Sequence, residues 1–135
     1  VGMTRAEFDK VVAEKKLAEV SWPDQLTYLH QQYGSQGIEI LEAIKKKPKL
    51  GEPLLEGYEH CEAEINFILE NESAPHLVDV LVRRTEAQWM VWHYKQPELA
   101  EKVADIMAKF YKWTPAQKKA EIKDYLAYVK KTIFF

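Results

Sequence analysis

From Glu62 to Thr85 the apolar residues keep helical spacing on both sides of one interruption, and that interruption is a proline. Before it, Cys61, Ile65, Ile68 and Leu69 recur at three- and four-residue intervals, and Glu72 falls one turn further along the row. Pro75 cannot sit inside a helix comfortably, because it has no N–H to donate and its ring clashes with the preceding turn. Beyond it, Leu77, Val80 and Leu81 predict a second helix from His76 onward, with Arg84 one turn past them on the same face. The break lets the chain reverse. It also leaves two unlike charges, Glu72 and Arg84, flanking the break on or beside apolar rows.

The rest of the chain carries its own helix punctuation. Thr4 followed by Glu7 is a capping-box signature, and Phe8, Val11, Val12 and Leu17 follow at helical spacing. That helix must end before Trp22-Pro23, since a residue preceding proline is pushed out of the helical region. A second helix is predicted over 24–33, with Leu26, Leu29 and Tyr33 inward, stopped by Gly34 and Gly37. A third runs from Ile38 to about Lys46 and stops at Pro48. Residues 48–57 hold prolines and glycines and read as a loop. The helix after Pro75 is expected to continue through Trp89 and Trp92 to about Tyr94. Pro97 suits the first turn of the next helix, whose stripe is Leu99, Val103, Ile106, Met107 and Phe110. Thr114-Pro115-x-Gln117 combines cap, first-turn proline and capping-box partner, and Ile122, Tyr125, Leu126 and Val129 form the last apolar face. No run alternates with period two. The expectation is therefore all-α, a compact bundle of six or seven short helices in one domain spanning 1–135.

Several chemistries are excluded or disfavoured. The net charge of −2 gives no overall positive field for nucleic acid. No uncharged apolar run approaches the roughly 20 residues of a membrane span, and there is no signal-peptide pattern. A dinucleotide site needs glycines between a strand and a helix, whereas Gly34 and Gly37 lie at a helix–helix junction. His30, His60, His76 and His93 are scattered, and the Glu72–His76 spacing is interrupted by Pro75, so no metal site is expected. Ser21, Ser35, Ser73 and Cys61 lie in no nucleophile motif. Lys45-Lys46-Lys47-Pro48-Lys49 is the one dense charge run. It reads first as a solvated helix end, where lysines favour the negative dipole, ahead of a nuclear address or a lipid contact.

The central stretch also carries a likeness. Ala63-Glu64-Ile65, Glu72, Ala74, Leu77, Asp79-Val80-Leu81 and Arg83-Arg84-Thr85 resemble the C-terminal helical domain of FAD-dependent glycerol-3-phosphate dehydrogenases and the related glycerophosphate oxidases. Tyr33-Gly34-Ser35 and the segment of Val103, Met107 and Trp113 resemble further parts of that domain, over roughly residues 23 to 128. The chain departs from the family pattern at Asn71, where His is usual, and at His76, where Thr is usual and caps better. The resemblance implies a parent flavoenzyme that oxidises sn-glycerol 3-phosphate to dihydroxyacetone phosphate and passes electrons to quinone or another acceptor. FAD would belong to the parent's own N-terminal FAD-binding domain, and this segment would hold no catalytic, cofactor or metal residue and be inactive alone. It would pack on the catalytic domain or mediate assembly. The start at Val1-Gly2 fits a piece of a longer chain, and a cytoplasmic parent is expected, with peripheral membrane association of the parent left open and no transmembrane segment in this chain. The alternative is a free-standing helical module that binds another protein through Trp89 and Trp92, residues that are either core or interface.

Four charged residues are the candidate site. Glu72 and Arg84 continue apolar faces and need a partner if buried, so a structural ion pair or shared polar network is expected between them. Arginine suits such a place because its planar fork bonds a carboxylate and a carbonyl together. Asp79 and Arg83 are spaced four apart with the acid first, an exposed pair worth a few tenths of a kcal/mol. Arg84→Ala should then cost on the order of 3 kcal/mol and Arg83→Ala under about 1 in urea denaturation. Equal, small losses would point instead to an interdomain contact.

Overall fold

A computed structural model describes residues 3–17, 23–55, 58–84 and 95–133, apart from the side chains of Pro23, Asp24, Glu59, Arg83, Arg84, Thr132 and Ile133. Trp89, Trp92 and Tyr94 thus lie outside the described residues. The chain divides into two compact units, Val1–Glu52 and Pro53–Phe135.

In the first unit, α1 (Arg5–Glu14) starts with the expected box: the Glu7 N–H donates to Thr4 Oγ1 at 3.2 Å, and the Glu7 carboxylate reaches back to Thr4. The helix stops at Glu14, well before the limit set by Pro23. Lys16 takes a left-handed φ of 57°, and the Leu17 N–H returns to the Val12 carbonyl at 2.9 Å, which folds Leu17 into the core. Helix α2 (Pro23–Tyr33) ends on Gly34 at φ 57°, the conformation glycine adopts without steric cost. A 3₁₀ turn, Gly34–Gln36, leads into α3 (Gly37–Lys46). Gly37 itself is right-handed and serves close approach: a Cβ there would lie 3.0 Å from the Leu29 carbonyl oxygen and 3.2 Å from the Phe8 ring. Phe8, Val12, Leu29, Tyr33, Ile38, Leu41 and Ile44 are buried.

The stretch expected to be a loop is structured in both units. Pro48–Gly51, the last element of the first, is a 3₁₀ turn, and the second opens with β1 (Pro53–Leu55) paired antiparallel with β2 (Tyr58–Cys61). Partners Pro53–Cys61 and Leu55–Tyr58 imply a register shift between them, the mark of a bulge. Strands of three and four residues, one of them irregular, are too short for alternation to register, so prolines and glycines dominated the sequence reading. Helix α4 (Glu62–Asn71) runs as expected. The helix after Pro75 differs: it becomes α5 (Asp79–Arg84), wound as a π-helix with i→i+5 bonding. Helices α6 (Gln96–Tyr111) and α7 (Pro115–Ile133) follow, the latter opened by Thr114 and Gln117, which exchange bonds of 2.8 and 3.1 Å.

Ile65, Ile68, Leu77, Val80, Leu81, Leu99, Val103, Met107, Tyr125 and Val129 form the core of this unit. Phe110 leaves the stripe assigned to it. It is 43% exposed one residue before α6 ends, set edge-on to Tyr111 at 4.9 Å, while Ala100 and Ala104 fill the buried face instead. Among the described residues the fold is all-α with one small hairpin. None of the described helices is long and apolar enough to cross a membrane.

Candidate functional site

Several polar groups of the second unit meet the chain at the break around Pro75. Helix α4 ends at Glu72, whose backbone turns extended (φ −131°, ψ 156°) while its N–H still donates to the Ile68 carbonyl at 2.9 Å. Glu72 is half-buried there. The Ala74 carbonyl, on a buried residue, accepts a hydrogen bond from the Tyr111 hydroxyl at 3.0 Å. Burial, and to a smaller extent the charge of Asp79, pushes the Tyr111 phenol up.

The next helix needs acceptors for its first N–H groups, and His76 is a poor cap. Two carboxylates supply them. Leu77 and Val78 are already helical ahead of the π winding, so Asp79 stands at the third helical position and accepts the His76 N–H through Oδ2 at 3.0 Å, one half of a capping box. Glu121, from α7, accepts the Leu77 N–H through Oε1 at 2.8 Å and holds His76 Nδ1 at 2.9 Å through Oε2. One side chain from α6 and one from α7 therefore fix the chain where it leaves α4. Glu121 was not legible beforehand, because it lies more than forty residues from its partners, and Asp79 was read from sequence only as the partner of Arg83, not as a cap.

The hydrogen bond from Glu121, followed by its charge, raises the His76 pKa above the ordinary 6.5. A raised histidine pKa contributes stability that is full below pH 6.5 and is lost as the pH climbs through the folded value. Because His76 is 65% exposed, solvent screening keeps that contribution below about 1 kcal/mol. Glu121→Ala, which also strips the Leu77 N–H of its acceptor, is expected to cost about 1–2 kcal/mol. The margin between the native chain and His76→Ala in thermal melts should shrink from about pH 5 to about pH 8. A margin that widened over that range would mean that Glu121 does not hold the imidazolium.

Of the four candidate residues, Glu72 ends α4 at this junction and the Asp79 carboxylate accepts the His76 N–H there. The Arg83 and Arg84 side chains lie outside the described residues. A second polar pair was missed from sequence: His60 Nδ1 lies 2.7 Å from Glu64 Oε1, with Glu64 only 1% exposed and the Tyr58 ring packed on the imidazole at 4.6 Å. Its i,i+4 spacing was visible, but His60 belongs to β2 and Glu64 to α4, so no single helix face announced it. Beside it, burial pushes the Cys61 thiol up to about 11, which leaves almost no thiolate for nucleophilic work at neutral pH. His30 Nε2 is held by the Met3 carbonyl at 2.7 Å. Among the described residues no three His, Cys, Asp or Glu side chains converge as metal ligands. The junction can anchor and orient the chain; the described groups around it include no activated nucleophile.

Glycerol-3-phosphate dehydrogenase 2 of Mycobacterium tuberculosis is 28% identical over 108 residues, covering 80% of this chain and 18% of that protein. A probable mitochondrial glycerol-3-phosphate dehydrogenase of Dictyostelium discoideum is 30% identical over 107 residues, covering 79% of this chain and 16% of the other. The Mycobacterium leprae glycerol-3-phosphate dehydrogenase is 27% identical over 108 residues, again 80% of this chain and 18% of that protein. The chain spans less than a fifth of the length of these curated relatives. No solved structure matches significantly. A family model described as the C-terminal domain of alpha-glycerophosphate oxidase matches residues 5–118, and the chain belongs to that family.

Proposed function

We propose that this chain is the non-catalytic C-terminal domain of a flavoenzyme that oxidises sn-glycerol 3-phosphate to dihydroxyacetone phosphate, with quinone or another acceptor taking the electrons. The match over residues 5–118 carries the reading, since it assigns most of the chain to the C-terminal domain of an alpha-glycerophosphate oxidase. The relatives named as glycerol-3-phosphate dehydrogenases support the same substrate class.

The described residues do not fit FAD. Gly34 caps a helix, Gly37 admits the Leu29 carbonyl, and Gly51 sits where a Cβ would meet the Ile44 side chain at 2.6 Å. Each of these glycines serves helix ends or packing; none forms the strand-to-helix turn that lets backbone approach a pyrophosphate. In this reading the flavin belongs to the parent's own N-terminal part, and residues 1–135 act as a single accessory domain that packs on the catalytic part or mediates assembly.

The test compares the parent enzyme with and without this segment. Flavin absorbance per polypeptide should survive its deletion, while thermal stability or size in solution changes. Flavin lost on deletion, or micromolar FAD binding or glycerol 3-phosphate turnover by the 135-residue chain, would overturn the division of labour.

A further inference from the structure

Among the described residues two large hydrophobic side chains are exposed, Phe110 by 43% and Tyr128 by 38%. Phe110 does not stand alone. Its ring meets Tyr111 edge-on at 4.9 Å, and Tyr111 stacks on Trp113 at 6.0 Å with 21° between the planes. Tyr111 and Trp113 pack against the core of the second unit and are only half-buried, so part of each ring stays open.

The backbone holds this row of rings in place. Helix α6 ends where Lys112 takes a left-handed φ of 58°, a conformation that strains a lysine and not a glycine. That turn lets the Trp113 N–H return to the Ala108 carbonyl at 3.1 Å, with the indole back beside Tyr111. Tyr111 is held at its far end, where its hydroxyl donates to the Ala74 carbonyl. The row is set before any partner arrives, so docking on it has little left to order.

We propose that this aromatic end of α6 is the surface that docks on the catalytic part of the parent enzyme, in an apolar pocket rimmed by carboxylates. The proposal rests on the reading of this chain as the C-terminal domain of a longer enzyme. The matched stretch is 16% to 18% of the relatives' length, so most of such a parent is available to cover the rings. Residues 110–113 also fall inside the stretch matched by the family model. Aromatic anchors carry much of the affinity of protein interfaces, and this row supplies three of them. Lys109 and Lys112 are exposed on either side of the row, which favours acidic groups around the pocket. Two copies of this chain meeting through the same face would bring those lysines into one interface, which disfavours self-association.

Hydroxyl-radical footprinting, read ring by ring by mass spectrometry, compares the parent enzyme with the 135-residue chain. Phe110 and Trp113 should react at least about tenfold more slowly in the parent, whereas Tyr128 should change by less than about threefold. Phe110→Glu in the parent sets a carboxylate against the acidic rim, and should return Trp113 to within about threefold of its rate in the 135-residue chain. Equal Phe110 reactivity in the two proteins, equal protection of Tyr128, or Trp113 protection that survives Phe110→Glu would overturn the proposal. So would protection in the 135-residue chain that rises with its concentration, which would reassign the surface to a second copy. Flavin absorbance of the parent with and without this segment is read separately, so a failed docking surface is told apart from a failed reading of the domain.

Discussion

Tyr125→Ala is expected to lower the unfolding free energy by about 4 kcal/mol, and Tyr125→Phe by about 1–2. The ring is fully buried in the core of the second unit, and its hydroxyl donates to Gln96 Oε1 at 2.6 Å. Gln96 is itself 1% exposed at the start of α6, so this bond ties the first turn of that helix to the middle of α7. Removing the hydroxyl alone takes one donor from a buried amide oxygen. Removing the ring adds the lost transfer energy and the cost of a cavity that the surrounding core fills only in part. The alkaline limb gives an independent check. Burial pushes the Tyr125 phenol well above its ordinary 10. A raised phenol pKa contributes stability that is full below pH 10 and lost above it, so the gap between the native chain and Tyr125→Phe should narrow above about pH 10. Urea denaturation of both variants reads the series; a Tyr125→Ala loss no larger than that of Tyr125→Phe would remove the ring from the core.

What the sequence disclosed and what it withheld divide along the range of the interactions. Both capping boxes, Thr4–Glu7 and Thr114–Gln117, were legible because donor and acceptor are three residues apart and the pattern is chemical. The Gly34 stop was legible for the same reason. The stop at Lys16 was not, since a lysine in the left-handed region leaves no compositional trace. The hairpin was missed because its strands are shorter than one full alternation. The π winding of α5 matters most for the candidate site. Arg84 was assigned to a buried face by extending the 3.6-residue period from Leu77 and Val80, and an i→i+5 helix no longer keeps that period. Glu72, placed on the same logic, is the C-cap of α4 in extended backbone. Their pairing stays a proposal, and the contrast between Arg84→Ala and Arg83→Ala remains its test. The Glu121 clamp joins residues more than forty apart, which no local pattern encodes.

In the first unit the largest expected loss follows Phe8→Ala, about 4 kcal/mol. Phe8 has no exposed surface, and its ring is tilted against that of His30 at 5.1 Å between centroids. Phe110→Ala deletes the same side chain where it is 43% exposed, and should cost under about 1 kcal/mol. The contrast separates burial from residue type. Gly37 sharpens it, because its missing Cβ leaves room for both the Phe8 ring edge at 3.2 Å and the Leu29 carbonyl at 3.0 Å. Gly37→Ala gains about 1 kcal/mol of helix propensity but must displace those two groups, for a net loss of about 1–2. Phe8→Leu in the same chain withdraws the ring edge and leaves the carbonyl, which is backbone between packed helices and yields less. The double variant should therefore be less destabilised than the sum of its parts, yet still less stable than Phe8→Leu alone. Native-state hydrogen exchange at amides of α1, α2 and α3 reads these losses within the unit itself. Strict additivity of the two substitutions would mean that Gly37 answers to the Leu29 carbonyl alone, and that the Phe8 ring has room to move.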